Sequence, residues 1–255
     1  MDWSGVDEFS SLALAYVNKR IEELEPLLVR SRAALEGLDG DPCETDWRAF
    51  RPLSEAREED WSDWLHHFIS TSTTGVFASE LFRGTKLRPD DCQSPTVHRE
   101  YKVMSDGSSR RADLVLIWNG DHASSLEVKV GDQGFSKTRQ TAAGVAKRHG
   151  ESLRAWTHYI LLPLEDASTW HDEYAVGEPR IEVLTWEDVA VALRIALRSS
   201  GERTTWRVWA HGFCGLIEQQ LLGIPPRTST TTNLSVLAAQ VSLISLVKRG
   251  LGELL

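Results

Sequence analysis

Residues 95–130 limit the fold more than any other stretch. From Pro95 onward the apolar residues stop recurring at every third or fourth place and begin to recur at every second. TVHREYKVM alternates, ADLVLIW is a nearly unbroken apolar run, and SLEVKV alternates again. A period of two belongs to strands, so these runs predict three consecutive strands. Asn119-Gly120, between the second and third, is a hairpin-turn signal. A hairpin there sets 110–118 and 125–130 antiparallel and side by side.

Helical periodicity surrounds this region. Residues 6–36 form an amphipathic pattern with Leu14, Val17, Ile21, Leu24 and Leu28 on one stripe, and Pro26 is expected to kink or split that helix. Residues 38–53, with Gly, Asp and two prolines, read as a linker. A second helix is expected in SEAREEDWSDWLHHFIS, with Ser54 as N-cap, acidic residues in its first turns and Trp61, Trp64, Leu65 and Phe68 on one face. A short helix over about 75–83 ends at Gly84.

After the strands come a helix over about 133–148, a buried strand at 156–164 and a further strand at 179–186. WEDVAVALRIALRS and 204–222 are amphipathic helices. A Pro-Pro and Ser/Thr-rich connector, 224–232, leads to a last helix. In it Leu234, Leu237, Val241, Ile244, Leu251 and Leu255 follow a 3,4 repeat interrupted by Lys248. That stripe suits packing on the chain's own helices or, alternatively, a homodimer seam. The expected fold is α/β, a small mixed sheet with helices on its faces and helical segments at 1–50 and 201–255 around a core at 51–200.

The three cysteines, Cys43, Cys92 and Cys214, are far apart and form no CxxC pair, which argues against a zinc site or a disulfide framework. There is no charged-then-apolar N-terminal signal and no apolar run of membrane-spanning length, so a cytoplasmic protein with no membrane partner is expected. The net charge of −9 is uneven: residues 1–100 carry −9, residues 101–154 carry +3 and the rest carry −3. The acidic first third suits a protein partner, whereas the basic middle suits a polyanion. Neither a GxxxxGK[ST] phosphate loop nor a GxSxG elbow is present, so nucleotide-triphosphate motors and α/β hydrolases find no support. Trp61, Trp64, Trp118, Trp156 and Trp186 sit at apolar positions or element ends and read as core rather than as base-stacking platforms.

The candidate chemistry lies on the hairpin. Glu127 and Lys129 are two apart and share a strand face, while Val128 points the other way. The turn brings Asp113 toward Glu127. Two close carboxylates repel, and one must take up a proton unless a cation intervenes. Mg²⁺ removes the conflict, because it takes oxygen ligands, keeps several waters and commonly uses one or two carboxylates. The backbone carbonyl of Val128 is a further donor. Lys129 beside such an ion would orient or help deprotonate a water, or stabilise charge on a phosphate.

Asp113, a hairpin turn and then Glu127-Val128-Lys129 resemble the PD-(D/E)xK nuclease superfamily, with Ala112 where that motif carries proline. REEDWSDWLHHFI resembles the helix before the sheet in one branch of the superfamily. KVGDQGFSKTRQ resembles the turn and helix that follow, and the resemblance spans about 55–197. It implies a restriction-endonuclease-like core and a metal-dependent nuclease, most plainly an endonuclease acting on DNA, in restriction or anti-phage defence. Asp113 and Glu127 would hold Mg²⁺, with Mn²⁺ able to substitute. Lys129 would serve the water, Glu58 or Glu59 would help from the helix as a ligand of a second metal or of a metal-bound water, and Gln140 would orient water or substrate. Lys137, Arg139, Lys147 and Arg148 would contact the DNA phosphate backbone.

Plainer roles compete at each position. Glu58 and Glu59 suit a helix first turn, Gln140 and the four cations suit a solvated face, and Glu100 on the first strand projects toward the site or away from it. A catalytically inert module of the same fold, binding nucleic acid or serving as a protein scaffold, and an RNA nuclease are the alternative functions.

Overall fold

The three runs fold as the strands their periodicity demands. In a computed structural model they are β1 (Thr96–Ser105), β2 (Ser108–Trp118) and β3 (His122–Val128), each antiparallel to the next. The structure describes residues 4–38, 40–45, 47, 58–83, 94–105, 107–118, 122–131, 135–149, 155–173, 177–199, 201–226 and 234–252. Ser54, Gly84 and the Asn119-Gly120 turn lie outside them. Ser105 pairs with Ser108, which leaves a two-residue loop whose Gly107 takes φ +75°, a left-handed value glycine reaches without strain.

Two further strands, β4 (Ala155–Leu162) and β5 (Ile181–Thr185), add in parallel to give one five-stranded mixed sheet in the order β1-β2-β3-β4-β5. The helices are α1 (Ser4–Ala34), α2 (Glu58–Thr71), α3 (Val76–Leu81), α4 (Thr138–His149), α5 (Leu164–Glu173), α6 (Trp186–Leu197), α7 (Thr204–Leu216) and α8 (Leu234–Gly250). A π turn, Ile217–Leu221, continues α7. The chain is therefore α/β, with helices on both faces of the sheet. The sequence pattern does not reveal α5, whose LEDASTWHDE has no continuous apolar stripe.

One face carries Leu114, Leu116, Trp118, Leu126, Val128, Tyr159 and Leu161. It packs with Trp61, Leu65 and Phe68 of α2, Trp186 and Val189 of α6 and Phe213 of α7. The same cluster reaches Leu24 and Leu28 of α1 and Ile244 and Val247 of α8, so both terminal segments share this core. Of the predicted C-terminal stripe, Ile244 and Leu251 pack into this core of the same chain, and the side chains of Leu234, Leu237 and Leu255 lie outside the described residues. The other face has two smaller clusters, Val103, Ala112 and Val115 on Val145 of α4, and Ile160, Leu162 and Ile181 against Phe135, Ala142 and Trp170. Of the tryptophans read as core, Trp61, Trp118 and Trp186 are buried, and Trp64 and Trp156 are half-buried.

Helix α1 runs unbroken through Pro26, contrary to the expected break. A proline in a helix interior costs roughly 3 kcal/mol. Leu24, Leu27 and Leu28 are all buried, and each fully buried leucine contributes roughly 1.5–3 kcal/mol. Their summed burial outweighs the proline, which itself faces solvent. Of the predicted stripe, Leu14 is 47% exposed, Leu24 and Leu28 are buried, and the side chains of Val17 and Ile21 lie outside the described residues.

The stretch read as a linker is in part an anchor. Asp41 caps the 3₁₀ turn Pro42–Glu44 and is fully buried against Arg194 of α6, at 2.7 and 2.9 Å. Arg194 also binds Glu218 of the π turn at 2.7 and 3.0 Å. Trp47 lies where Gly215 has no side chain, since a Cβ there would meet its indole nitrogen at 1.9 Å. No helix among the described residues is long and apolar enough to cross a membrane.

Candidate active site

The site forms where the pleat of two strands reverses. The β1–β2 register pairs Arg99 with Leu114 and Tyr101 with Ala112, and skips Glu100 and Asp113 between them. Glu100 has φ +47°, a left-handed value that a non-glycine residue rarely adopts. On one side of this point Leu114 joins the α2 and α6 core; on the other, Ala112 joins the α4 core. Residues two apart on a regular strand would share a face. The reversal at Glu100 and Asp113 buries both neighbours on opposite faces and leaves Asp113 at the pivot.

Extending the β2–β3 register past Leu114↔Leu126 sets Asp113 across from Glu127. Asp113 Oδ2 accepts a hydrogen bond from the Val128 amide at 2.8 Å, a bond that a ladder carbonyl would otherwise take. The predicted approach of the two carboxylates is therefore present. Val128 brings its backbone between them, with its side chain in the core.

Lys129 is 7% exposed and ends β3. Its amide donates to the Leu161 carbonyl at 2.9 Å, and its carbonyl accepts from the Trp186 indole at 2.9 Å. The main chain of Lys129 is thus fixed from both sides, by β4 and by the start of α6. Its Nζ lies 2.8 Å from Glu58 Oε1 and 3.5 Å from Glu127 Oε1. Glu58, the first residue of α2, is the acidic residue the structure brings to the site. Glu59 is exposed, and its carbonyl accepts the Ser62 hydroxyl. Trp186 could not be assigned from sequence, because 57 residues separate it from the carbonyl it holds.

The electrostatics follow from burial. Burial pushes Glu127 up to about 7, the nearby Asp113 charge adds to the effect, and Lys129 opposes it. Burial also raises Asp113, against the Val128 amide and Lys129, with Glu58 and Glu100 adding to the rise. Burial pulls the Lys129 ammonium down, but Glu58, Glu127 and Asp113 more than offset this and hold it above its ordinary value. Lys129 is therefore a firm cation between acids. Behind Glu127 lies a small cavity lined also by Ser125, Thr138 and His158. Ser125 Oγ and His158 Nδ1 are 2.7 Å apart there, and burial holds His158 down at about 4.

The remaining candidates do not converge on this cluster. Gln140 is exposed and accepts from Arg110. Arg139 donates to the Pro179 carbonyl at 2.8 Å. Arg148 donates to the Lys102 carbonyl and lies 4.6 Å above the Tyr101 ring. Lys137 and Lys147 are exposed on α4 and the turn before it. Glu100 is the exception: exposed and paired with Arg111 at 3.2 Å, it still adds its charge to Asp113.

Among the described residues no three His, Cys, Asp or Glu side chains form a ready cage for a metal ion. The donor set that is present, two adjacent carboxylates and a strand-end carbonyl, fits Mg²⁺, which keeps waters for its other positions. The carboxylates fit it electrostatically as well. Burial raises both, and one local cation, already shared with Glu58, does not offset it. Compared with protein families, with curated proteins and with solved structures, the chain finds no match.

Proposed function

We propose that this chain is a metal-dependent phosphodiesterase of PD-(D/E)xK type that cleaves DNA. The observation that carries the reading is the pairing of Asp113 and Glu127, two half-buried carboxylates held above their ordinary range beside a fixed lysine. Carboxylates perturbed in this way beside a specific charge partner mark a functional site. When bound, Mg²⁺ would neutralise the pair and polarise a phosphate oxygen. Asp113, Glu127 and the Val128 carbonyl would hold it.

Lys129 works as a cation in this account. Its raised proton affinity suits donation from Nζ to the incoming water or to a phosphate oxygen, and does not suit a general base. Glu58 positions that ammonium from α2. The resemblance of the core to restriction-endonuclease-like folds and a role in defence against phage belong to the same proposal.

An inert module of the same fold is the competing reading. It is favoured by the bond that already engages Lys129 with Glu58. Digestion separates them. Supercoiled plasmid, linear duplex, single-stranded DNA and RNA are incubated with the wild type, Asp113→Ala and Lys129→Ala, in Mg²⁺, Mn²⁺ or EDTA. The expected result is nicking or linearisation of plasmid by wild type with either metal, none in EDTA, and at least a 100-fold loss in both variants, a size in keeping with losing transition-state charge stabilisation. Intact DNA throughout contradicts the proposal, and cleavage of RNA alone changes the substrate.

A further inference from the structure

Beyond Glu100 and Asp113 the two strands of β1 and β2 continue as a ribbon with two unlike faces. On one face Tyr101, Val103 and Ala112 pack on α4, where Val103 lies against Gly144 and Arg148 covers Tyr101. On the other face the register sets Lys102 across from Arg111 and Met104 across from Ser109. All four are exposed, Met104 by 61%. Glu100 links this face to the candidate site, since it pairs with Arg111 at 3.2 Å and its charge also acts on Asp113.

Lys102 and Arg111 place two cations directly opposite each other. Like charges in that position destabilise a sheet, and the cost disappears when an anion lies across them. Glu100 meets Arg111 at 3.2 Å and relieves only part of it. The α4 cations first assigned to phosphate are partly engaged, Arg139 by Pro179 and Arg148 by Tyr101 and the Lys102 carbonyl. Lys102 and Arg111 lie on the exposed face of the ribbon, away from α4.

Dimensions agree with a groove. Tyr101 to Ser105 spans about 14 Å at roughly 3.4 Å per step. The major groove of B-DNA, about 12 Å wide and 8.5 Å deep, admits a two-stranded ribbon.

We infer that the ribbon face of Lys102, Met104, Ser109 and Arg111 is the surface that docks duplex DNA, with Lys102 and Arg111 on phosphates beside the bond to be cleaved. This rests on the proposed nuclease reading, which it deepens by naming double-stranded DNA as the substrate and the ribbon as its seat.

The test measures binding in EDTA, where no cleavage is involved. Fluorescence anisotropy of a labelled duplex is followed for wild type, Lys102→Gln/Arg111→Gln and Lys137→Gln/Lys147→Gln across a salt series. Melting temperature and Mn²⁺ titration confirm that each variant is folded with its carboxylate site intact. Loss of two phosphate contacts reduces the slope of log affinity against log salt by about 1.8 and weakens binding roughly 10- to 100-fold at low salt. The ribbon variant is expected to show this, the α4 variant a smaller effect, and single-stranded DNA weaker binding than duplex. The inference is overturned if wild type does not bind duplex, if the ribbon variant binds like wild type, or if single strands bind as well as duplex. Duplex binding through the ribbon without cleavage in Mg²⁺ upholds the inference and removes the nuclease reading. Cleavage with an unaffected ribbon variant does the reverse.

Discussion

At the scale of single residues, two carboxylates and one lysine carry the account. Glu127 is held up at about 7, above the ordinary carboxylate value, so its contribution to stability has a definite sign. The folded state favours the protonated form. That stability is complete below about 4.5 and is lost as pH rises through about 7. His158 works the other way. Held down at about 4, it contributes stability above about 6.5 that is lost as pH falls toward 4. The two profiles overlap, so the whole-protein curve hides both and a difference is needed. Glu127→Gln is expected to leave the metal-free melting temperature nearly unchanged at pH 5. At pH 8 it should stabilise the protein by on the order of 1–3 kcal/mol. Thermal melts in EDTA at both pH values check this, and equal shifts at the two would contradict a raised Glu127. The pair Glu127 and Lys129 was legible in sequence, because their spacing fixes a common face. The choice of Glu58 over Glu59 was not. It depends on where α2 begins and on the direction in which Lys129 extends, neither of which periodicity specifies.

At the scale of elements, the largest departure from the sequence reading is a buried charge network. Asp41, Arg194 and Glu218 join the chain before α2, the helix α6 and the π turn. Burial works to raise Asp41, but the Arg194 guanidinium, with the Ser31 hydroxyl and the Cys43 thiol, keeps it well below the usual range. Burial raises Glu218 despite the same arginine. Removing Arg194 strands two buried carboxylates. Arg194→Ala is therefore expected to cost about 3–5 kcal/mol in urea unfolding, the usual size for breaking a buried pair. A loss under about 1 kcal/mol would mean that packing alone holds these segments. Sequence patterns could not supply this network, since its partners are 153 and 24 residues apart and each reads as an ordinary surface charge. The reversal at Glu100 was equally hidden, because a positive φ at a glutamate leaves no mark in an alternating pattern. The strands themselves were legible, though β3 begins at His122, ahead of the expected Ser125. Asp106-Gly107 was a second hairpin signal of the same kind as Asn119-Gly120, and it marks the tip of the ribbon.

At the scale of the whole molecule, α1, α2, α3, α6, α7 and α8 share one apolar cluster that braces one face of the sheet. Its consequence is rigidity where the site needs it. The Lys129 carbonyl is fixed by Trp186, whose ring packs edge-on against Trp61 of α2, the helix that supplies Glu58. Placement of the lysine and of its acidic partner thus depends on the same core. The uneven charge read from sequence also finds its place, since the basic middle third contains the ribbon, the site and α4. The claim common to these scales is that Asp113 and Glu127 form a seat for a divalent cation, and calorimetric titration of Mn²⁺ tests it most directly. Wild type is predicted to bind metal more tightly at pH 8 than at pH 6, because Glu127 must first lose its proton. The same binding should vanish in Asp113→Asn and in Glu127→Gln. No binding by wild type, or equal binding by the variants, would contradict the account.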